Sequence, residues 1–440
     1  MHRSTGYALI LSTAVLLGTS SVLAQNPLIT EQFSADPTAR VFEGKIYVYC
    51  SHDIPVPPNS GAREQWFCME DYHVYSSENL TDWTDHGVIL TQSEVPWLNR
   101  LGYNMWAPDC VAKNGKYYFY FPTGGGIGVA VADTPYGPFR AEKQSIAGVR
   151  GIDPGVLIDT DGSAYLFWGG ISVAKLKDNM VELDSQPQRV ENLPRPGMIE
   201  GPFPFKRNGI YYLTFPHEVD GQERLEYSTA SSPMGPYEWK GVVMDQSTSG
   251  CWTNHQSVVE YNGQWYLFYH DKDLSPDFDK NRAIKADYLH FNEDGTIQKV
   301  IPTHRGIGVT PAYRDIHIDR YSAISPEGVA IDFVDPENKP DGWKAVLSTE
   351  NAWVRYDRVD FGQEPWSGVK VTTRSTTGGR IALRVGAEDG ATIAEVEIRP
   401  SQNWTLANGT LTESPEGLQN LVVVNLDEEK TVEIDCVTFK

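Results

Sequence analysis

Apart from one N-terminal stretch, the sequence has no long apolar run. Ala8 to Gly18 is nearly continuous, and nothing after it is long enough to cross a bilayer as a helix. That stretch follows Arg3 and precedes Ser21-Val22-Leu23-Ala24, the pattern of a cleavable signal peptide over 1–24 with a mature start at Gln25. No cysteine follows the cleavage point, which argues against a lipid anchor, so a secreted or periplasmic protein is expected. Cysteine is scarce. Cys50, Cys68, Cys110, Cys251 and Cys436 are odd in number and lack the close paired spacing of a zinc site. Either Cys50 pairs with Cys68 or the thiols stay free and buried. Basic residues are few: 37 Lys and Arg against 58 Asp and Glu give a net charge of −21. Such a surface repels phosphate backbones and disfavours nucleic acid, but does not repel a neutral polymer such as a polysaccharide. Apolar residues at helical spacing are also missing, which removes helical bundles and α/β folds from consideration.

Turn formers and aromatics are abundant, with 39 Gly, 28 Pro and 22 Tyr. A Gly-x-x-Tyr signature recurs five times, at Gly44–Tyr47, Gly115–Tyr118, Gly162–Tyr165, Gly209–Tyr212 and Gly263–Tyr266. Pairs such as Asn114-Gly115, Asn208-Gly209 and Asn262-Gly263 accept positive φ and join antiparallel strands. Each turn leads into an aromatic strand and then a third strand, as at Tyr72–Ser76, Ile127–Ala132 and Leu225–Thr229. Units of about fifty residues, repeated five times, predict a five-bladed β-propeller over 25–317.

The repeat also predicts a site. The first strand of each blade lies nearest the axis, so equivalent positions on the first strands must converge. Eight or nine residues before the turn glycine stand Asp36, Asp153, Glu200 and His255. Blade two departs: Asp109 lies closer to Gly115, and Trp106-Ala107-Pro108 takes the place. An Asp before Pro commonly just opens a turn. That does not explain why acids share one repeat position. Gathered carboxyls are unfavourable unless solvated, protonated or bound to a cation.

Ala35-Asp36-Pro37, Trp106-Ala107-Pro108-Asp109, Gly151-Ile152-Asp153-Pro154-Gly155, Glu200-Gly201-Pro202-Phe203 and Asn254-His255-Gln256-Ser257-Val258 together resemble glycoside hydrolase family 43 over about residues 27–310. The resemblance implies Asp36 as general base, Glu200 as general acid and Asp153 as the acid that orients Glu200 and raises its pKa. It implies inversion, in which the two working carboxyls stand far enough apart to admit a water. It implies substrate contacts from Arg282 and Trp106, and from His255, beside which a structural calcium ion is left open; no cofactor is required. Trp66 is expected to serve loop packing, with Ile54–Gln65 and its three prolines walling the pocket. Surrounding residues look most like α-L-arabinofuranosidases and β-xylosidases acting on xylan-type plant cell-wall glycans. A non-catalytic sugar-binding propeller is one alternative. A retaining fructan-active enzyme is another, although that class carries Asn where Ala35 stands.

From 318 to 440 the aromatic signature stops, and alternating segments such as Val369–Thr372, Ile381–Val385 and Leu421–Val424 predict a β-sandwich. Ile318–Ser322, Trp353–Gly362 and Ile434-Asp435 resemble a family 6 carbohydrate-binding module. Relatives carry a cleft aromatic where Leu347 stands, which leaves Trp404 as the expected stacking residue. His317 and Asp319 retain part of an acidic calcium motif.

Overall fold

The computed structural model describes residues 26–338 and 342–440. The expected signal peptide and Gln25 lie outside the described residues. The only helix among them is a short 3₁₀ turn at Gln92–Glu94, so none is long and apolar enough to cross a membrane.

Five antiparallel sheets follow one another along the chain. Four have four strands, beginning at Ser34–Phe42, Asp109–Lys113, Gly155–Ile158 and Phe203–Arg207. The fifth has three, Ser257–Tyr261, Gln264–Asp271 and Ala283–Leu289. The first strands neighbour one another in sequence order, and the fifth returns to the first, so the ring of blades closes. Residues 26–34 run along the open edge of blade five. Leu28 N–H donates to Ile284 O at 2.8 Å, and the Asn26 carboxamide brackets the Ala286 peptide at 2.9 and 3.0 Å. The first described residues thus close the ring onto its last strand.

The turn chemistry follows the sequence. Asn114 and Gly115 take φ 53° and 73°, Asn208 and Gly209 48° and 81°, and Asn262 and Gly263 52° and 78°. These are the left-handed pairs that match strand twist in a tight hairpin. The aromatic strands then fill the wedges between blades. Tyr47, Tyr49, Tyr72 and Phe119 pack between blades one and two, and Phe205, Tyr212, Leu267 and Tyr269 between four and five.

Thr310–Pro311 and Ile316–His317 already pair with strands of the second domain, so the change of fold comes before 310 rather than at 317/318. That domain is a sandwich of two six-stranded sheets. Leu347 is fully buried in the core between them; it is a packing residue, not one side of a cleft. The sandwich is joined to the propeller through Arg305, which donates to the Asp357 and Gly308 carbonyls at 2.8 and 3.0 Å.

Candidate functional site

The segments that enter the inner strands surround one cavity of about 280 Å³ at the axis. Asp36, Asp153, Glu200 and His255 line it, as their shared repeat position required, and so do Trp106 and Arg282. The local backbone explains how two of the acids are aimed. Asp36 and Asp153, each before a proline, have φ 53° and 57°. This left-handed conformation is uncommon outside glycine and costs about 1–3 kcal/mol, so the surrounding structure must hold it in place. It occurs at the same repeat position in blades one and three and turns both carboxyls to the cavity. Trp106 occupies the corresponding place in blade two. Asp109 is turned away, held by Arg40 (Nε to Oδ1 3.0 Å, Nη2 to Oδ2 2.6 Å) and by the Val156 N–H at 2.6 Å. It pins the first three inner strands together and does not reach the cavity.

The carboxyls differ in charge state. Burial works against an ionised Asp36, but the guanidinium of Arg282, with help from His270 and His255, outweighs it and holds that carboxyl at about 2. The contacts are close: Arg282 Nη1 to Asp36 Oδ1 2.9 Å, and Ser51 Oγ to Asp36 Oδ2 2.5 Å. Asp153 goes the other way. Burial, then the neighbouring Glu200 and Asp36, push it well above the carboxylate range, although Oδ2 accepts the Gly201 N–H at 3.2 Å. Glu200 is also raised, by burial and then Asp36. One acid is therefore kept ionised and another kept protonated in the same cavity.

Arg282 differs from expectation. Its Nε and Nη2 grip Asp53 at 3.0 Å each, while Nη1 and Nη2 reach Asp36. The fork expected for sugar hydroxyls is filled by two carboxylates, leaving one Nη1 hydrogen uncommitted. Its aliphatic and planar surface lies over Phe67, 4.6 Å from the ring centre.

His255 is buried, and burial lowers its pKa to about 4, so it is a neutral imidazole. Among the described residues two groups could hold a metal, His52 with Asp71 and His73, and His317 with Asp319 and Asp435; His255 belongs to neither. The first, with two histidines and one carboxylate, suits a borderline transition cation better than calcium, which takes six to eight oxygens; the second offers one imidazole and two carboxylates. All five cysteines are free, so Cys50 and Cys68 do not pair. Cys50 faces blade five, beside Ile46 and Phe268. Trp404 lies in the sandwich strand Ser401–Thr410 and does not line this cavity; the Arg374 guanidinium is 5.0 Å over its ring.

Several lining residues were not anticipated. From the first-blade insertion Trp66, Phe67 and Met69 reach the cavity, while none of Ile54–Gln65 does. Trp66 is thus a wall residue rather than loop packing. Met198, Trp252 and Asn254 line the cavity too, together with Ala107, Ile152 and Thr253. Both polar atoms of the Asn254 side chain, and Trp106 Nε1, are buried without a protein partner and are available to a ligand.

Residues 24–297 match glycosyl hydrolases family 43. The chain belongs to that family. It is a glycoside hydrolase, and residues 328–440 match the family 6 carbohydrate-binding module. Xylosidase/arabinosidase 43A of Humicola insolens is 34% identical over 326 residues, which is 62% of this chain and 98% of the relative. An arabinoxylan arabinofuranohydrolase of Paenibacillus polymyxa is 26% identical and aligns with 91% of this chain and 71% of its own length. A family 43 β-xylosidase/α-arabinofuranosidase from a compost microbial metagenome was solved with xylotriose in a calcium-free form. It superposes with a TM-score of 0.57 at 36% identity, covering 63% of this chain and 97% of the other. For this family 43 chain the axial cavity is the site at which the chemistry must be sought.

Proposed function

We propose that the chain is an exported, exo-acting pentosidase. It releases terminal or side-chain α-L-arabinofuranose or β-D-xylose, with inversion, from xylan-type plant polysaccharides and their oligosaccharides. The observation that carries this reading is the pair of opposed charge states in one small enclosed cavity. A volume of about 280 Å³ is at or below the lower end of the roughly 300–1,000 Å³ of ligand pockets, suited to a sugar at a chain end rather than a threaded polymer.

Asp36, ionised across the working range, takes a proton from a water as its oxygen bonds to the anomeric carbon. Glu200 gives its proton to the glycosidic oxygen as the bond to the anomeric carbon breaks. Burial and the nearby Asp36 favour protonated Glu200, while Asp153, which accepts the Gly201 N–H, holds the backbone beside it. Trp106 and Trp66 offer ring faces to sugar C–H groups, and Asn254 and His255 offer polar atoms to hydroxyls. The pentose specificity is supported by relatives named xylosidase/arabinosidase. Export is supported by the leader pattern at 1–24. The module-like sandwich supports retention on polymer, which raises local substrate concentration.

The test is a side-by-side assay on 4-nitrophenyl α-L-arabinofuranoside and β-D-xyloside, with product analysis on xylo-oligosaccharides and arabinoxylan. Free pentose as the sole early product supports the reading. Early release of mixed oligosaccharides, with falling polymer viscosity, rejects exo action.

A further inference from the structure

Two strands of blade one carry a cluster that the glycosidase chemistry does not use. Ser51 of strand Lys45–His52 pairs with Tyr72 of strand Asp71–Ser77, which sets His52 opposite Asp71. Side chains alternate along a strand, so Asp71 and His73 share a face, and His52 joins them there. One donor atom from each of the three lies within 4.8 Å of the others. His52 Nδ1 is 2.9 Å from Asp71 Oδ1, and His73 Nε2 is 3.9 Å from the same oxygen. The two imidazole rings stand edge to face with 5.2 Å between centres. Asp71 and His73 are buried, while the His52 side chain is 23% exposed and leaves the cluster open to solvent on one side.

Hydrogen bonding accounts for only half of this arrangement. At 2.9 Å His52 can donate to Asp71, but 3.9 Å is too long for a bond from His73. Three ligand atoms held at about 2.0–2.1 Å by one tetrahedral ion stand roughly 3.3–3.4 Å apart, and the two separations straddle that value. The groups behind the donors fit as well. A metal-bound imidazole commonly gives its other N–H to a carboxylate. His73 Nδ1 faces Asp85 Oδ1 at 3.4 Å, and that oxygen is itself fixed by the Gly87 N–H at 2.7 Å. Three protein ligands leave a fourth position for water. Ser34 pairs directly with His52 from the neighbouring strand, so its side chain is on the same face, and its hydroxyl is buried with no hydrogen-bond partner. Two imidazole nitrogens and one carboxylate oxygen favour a borderline cation of the zinc class over calcium or magnesium.

We propose that His52, Asp71 and His73 bind one divalent cation of the zinc class, and that the ion clamps the neck of the first-blade insertion. His52 and Asp71 are the two ends of that insertion, and the Ile54 N–H to Cys68 O bond at 2.9 Å is the next tie along it. Trp66, Phe67 and Met69, which line the cavity, all lie between these two ligands in the chain. His52 also stands between Ser51, which donates to Asp36, and Asp53, which holds Arg282. None of the three ligands lines the cavity. The ion would therefore brace the wall and the strand end beside Asp36 from outside the site, whichever sugar is cleaved.

The experiment takes the full chain, strips it with a chelator and titrates it with Zn²⁺ by calorimetry, with amide hydrogen exchange followed in the presence and absence of the ion. The wild type should take up an equivalent of Zn²⁺ whose affinity falls more than about tenfold in His52→Gln and in His73→Gln. His317→Gln, in the other histidine–carboxylate group, should leave that equivalent in place. Saturating Zn²⁺ should slow exchange severalfold over residues 53–70 and raise Tm by a few degrees, and His52→Gln should lose both effects. If His73→Gln does not fold, the more exposed His52→Gln decides. No uptake by the wild type, or an uptake that His52→Gln does not weaken, would overturn the site. Uptake with unchanged exchange over 53–70 would overturn the clamp. Every readout is made without substrate, so a failure here is distinct from a failure of the pentosidase reading.

Discussion

Asp36 and Arg282 stand 246 positions apart in the chain and meet through hydrogen bonds of 2.9 and 3.4 Å at the propeller axis. The same guanidinium holds Asp53, and all three side chains are nearly excluded from solvent. Removing the cation leaves two buried carboxylates facing each other. Arg282→Gln should therefore destabilise the protein by about 3–5 kcal/mol, the range for breaking a buried ion pair from one side. Arg282→Lys keeps the charge but not the fork, and should lose activity by more than about tenfold with a smaller loss of stability. Thermal denaturation and kcat/KM measured together check both.

The opposed carboxyls make stability depend on pH in two directions. Asp36 is lowered to about 2 from 3.8, so its contribution is present above 3.8 and is lost as pH falls from there through about 2. Asp153 is raised, so its contribution is present below 3.8 and is lost as pH rises toward its folded value. Asp153→Asn can still accept the Gly201 N–H. It should raise Tm at pH 7 by a few degrees and leave it unchanged near pH 3, while lowering activity. A Tm lowered at pH 7 would contradict this ordering.

Much of this site was legible because a repeat ties sequence position to spatial position. Asp36, Asp153, Glu200 and His255 share one place in four blades, and closure of the ring brings them together. The substituted blade was legible too, since Trp106 stands where an acid is missing. Phe67, Met69 and Trp252 depend on the path of loops with no periodic signal. Arg282 has Asp277 and Asp279 nearby in sequence, yet it is gripped by Asp36 and Asp53. Only tertiary structure decides that pairing.

Glycines at blade contacts should separate cleanly by environment. A Cβ on Gly155 would lie 2.0 Å from the Pro202 carbonyl oxygen, where blades three and four meet. Gly162 has open space around it and only a φ of +81° to satisfy. Gly155→Ala should cost more than about 3 kcal/mol or abolish folding, and Gly162→Ala about 1 kcal/mol. Chemical denaturation of the two variants checks the contrast.

Trp404 is the aromatic expected to meet polymer on the sandwich, with Arg374 over its ring. Trp404→Ala in the full chain should weaken retention on insoluble arabinoxylan severalfold and leave kcat/KM on 4-nitrophenyl xyloside unchanged. Unchanged retention would assign the sandwich a supporting role against the propeller.

The most direct test of the account is the anomeric configuration of the first sugar released. Proton NMR during early hydrolysis of a β-xyloside should show α-xylose appearing first, with the β-anomer growing only through mutarotation, because water activated by Asp36 attacks opposite the bond that Glu200 protonates. β-Xylose as the initial product would mean a covalent intermediate, and would contradict the assignment of Asp36 as base and Glu200 as acid.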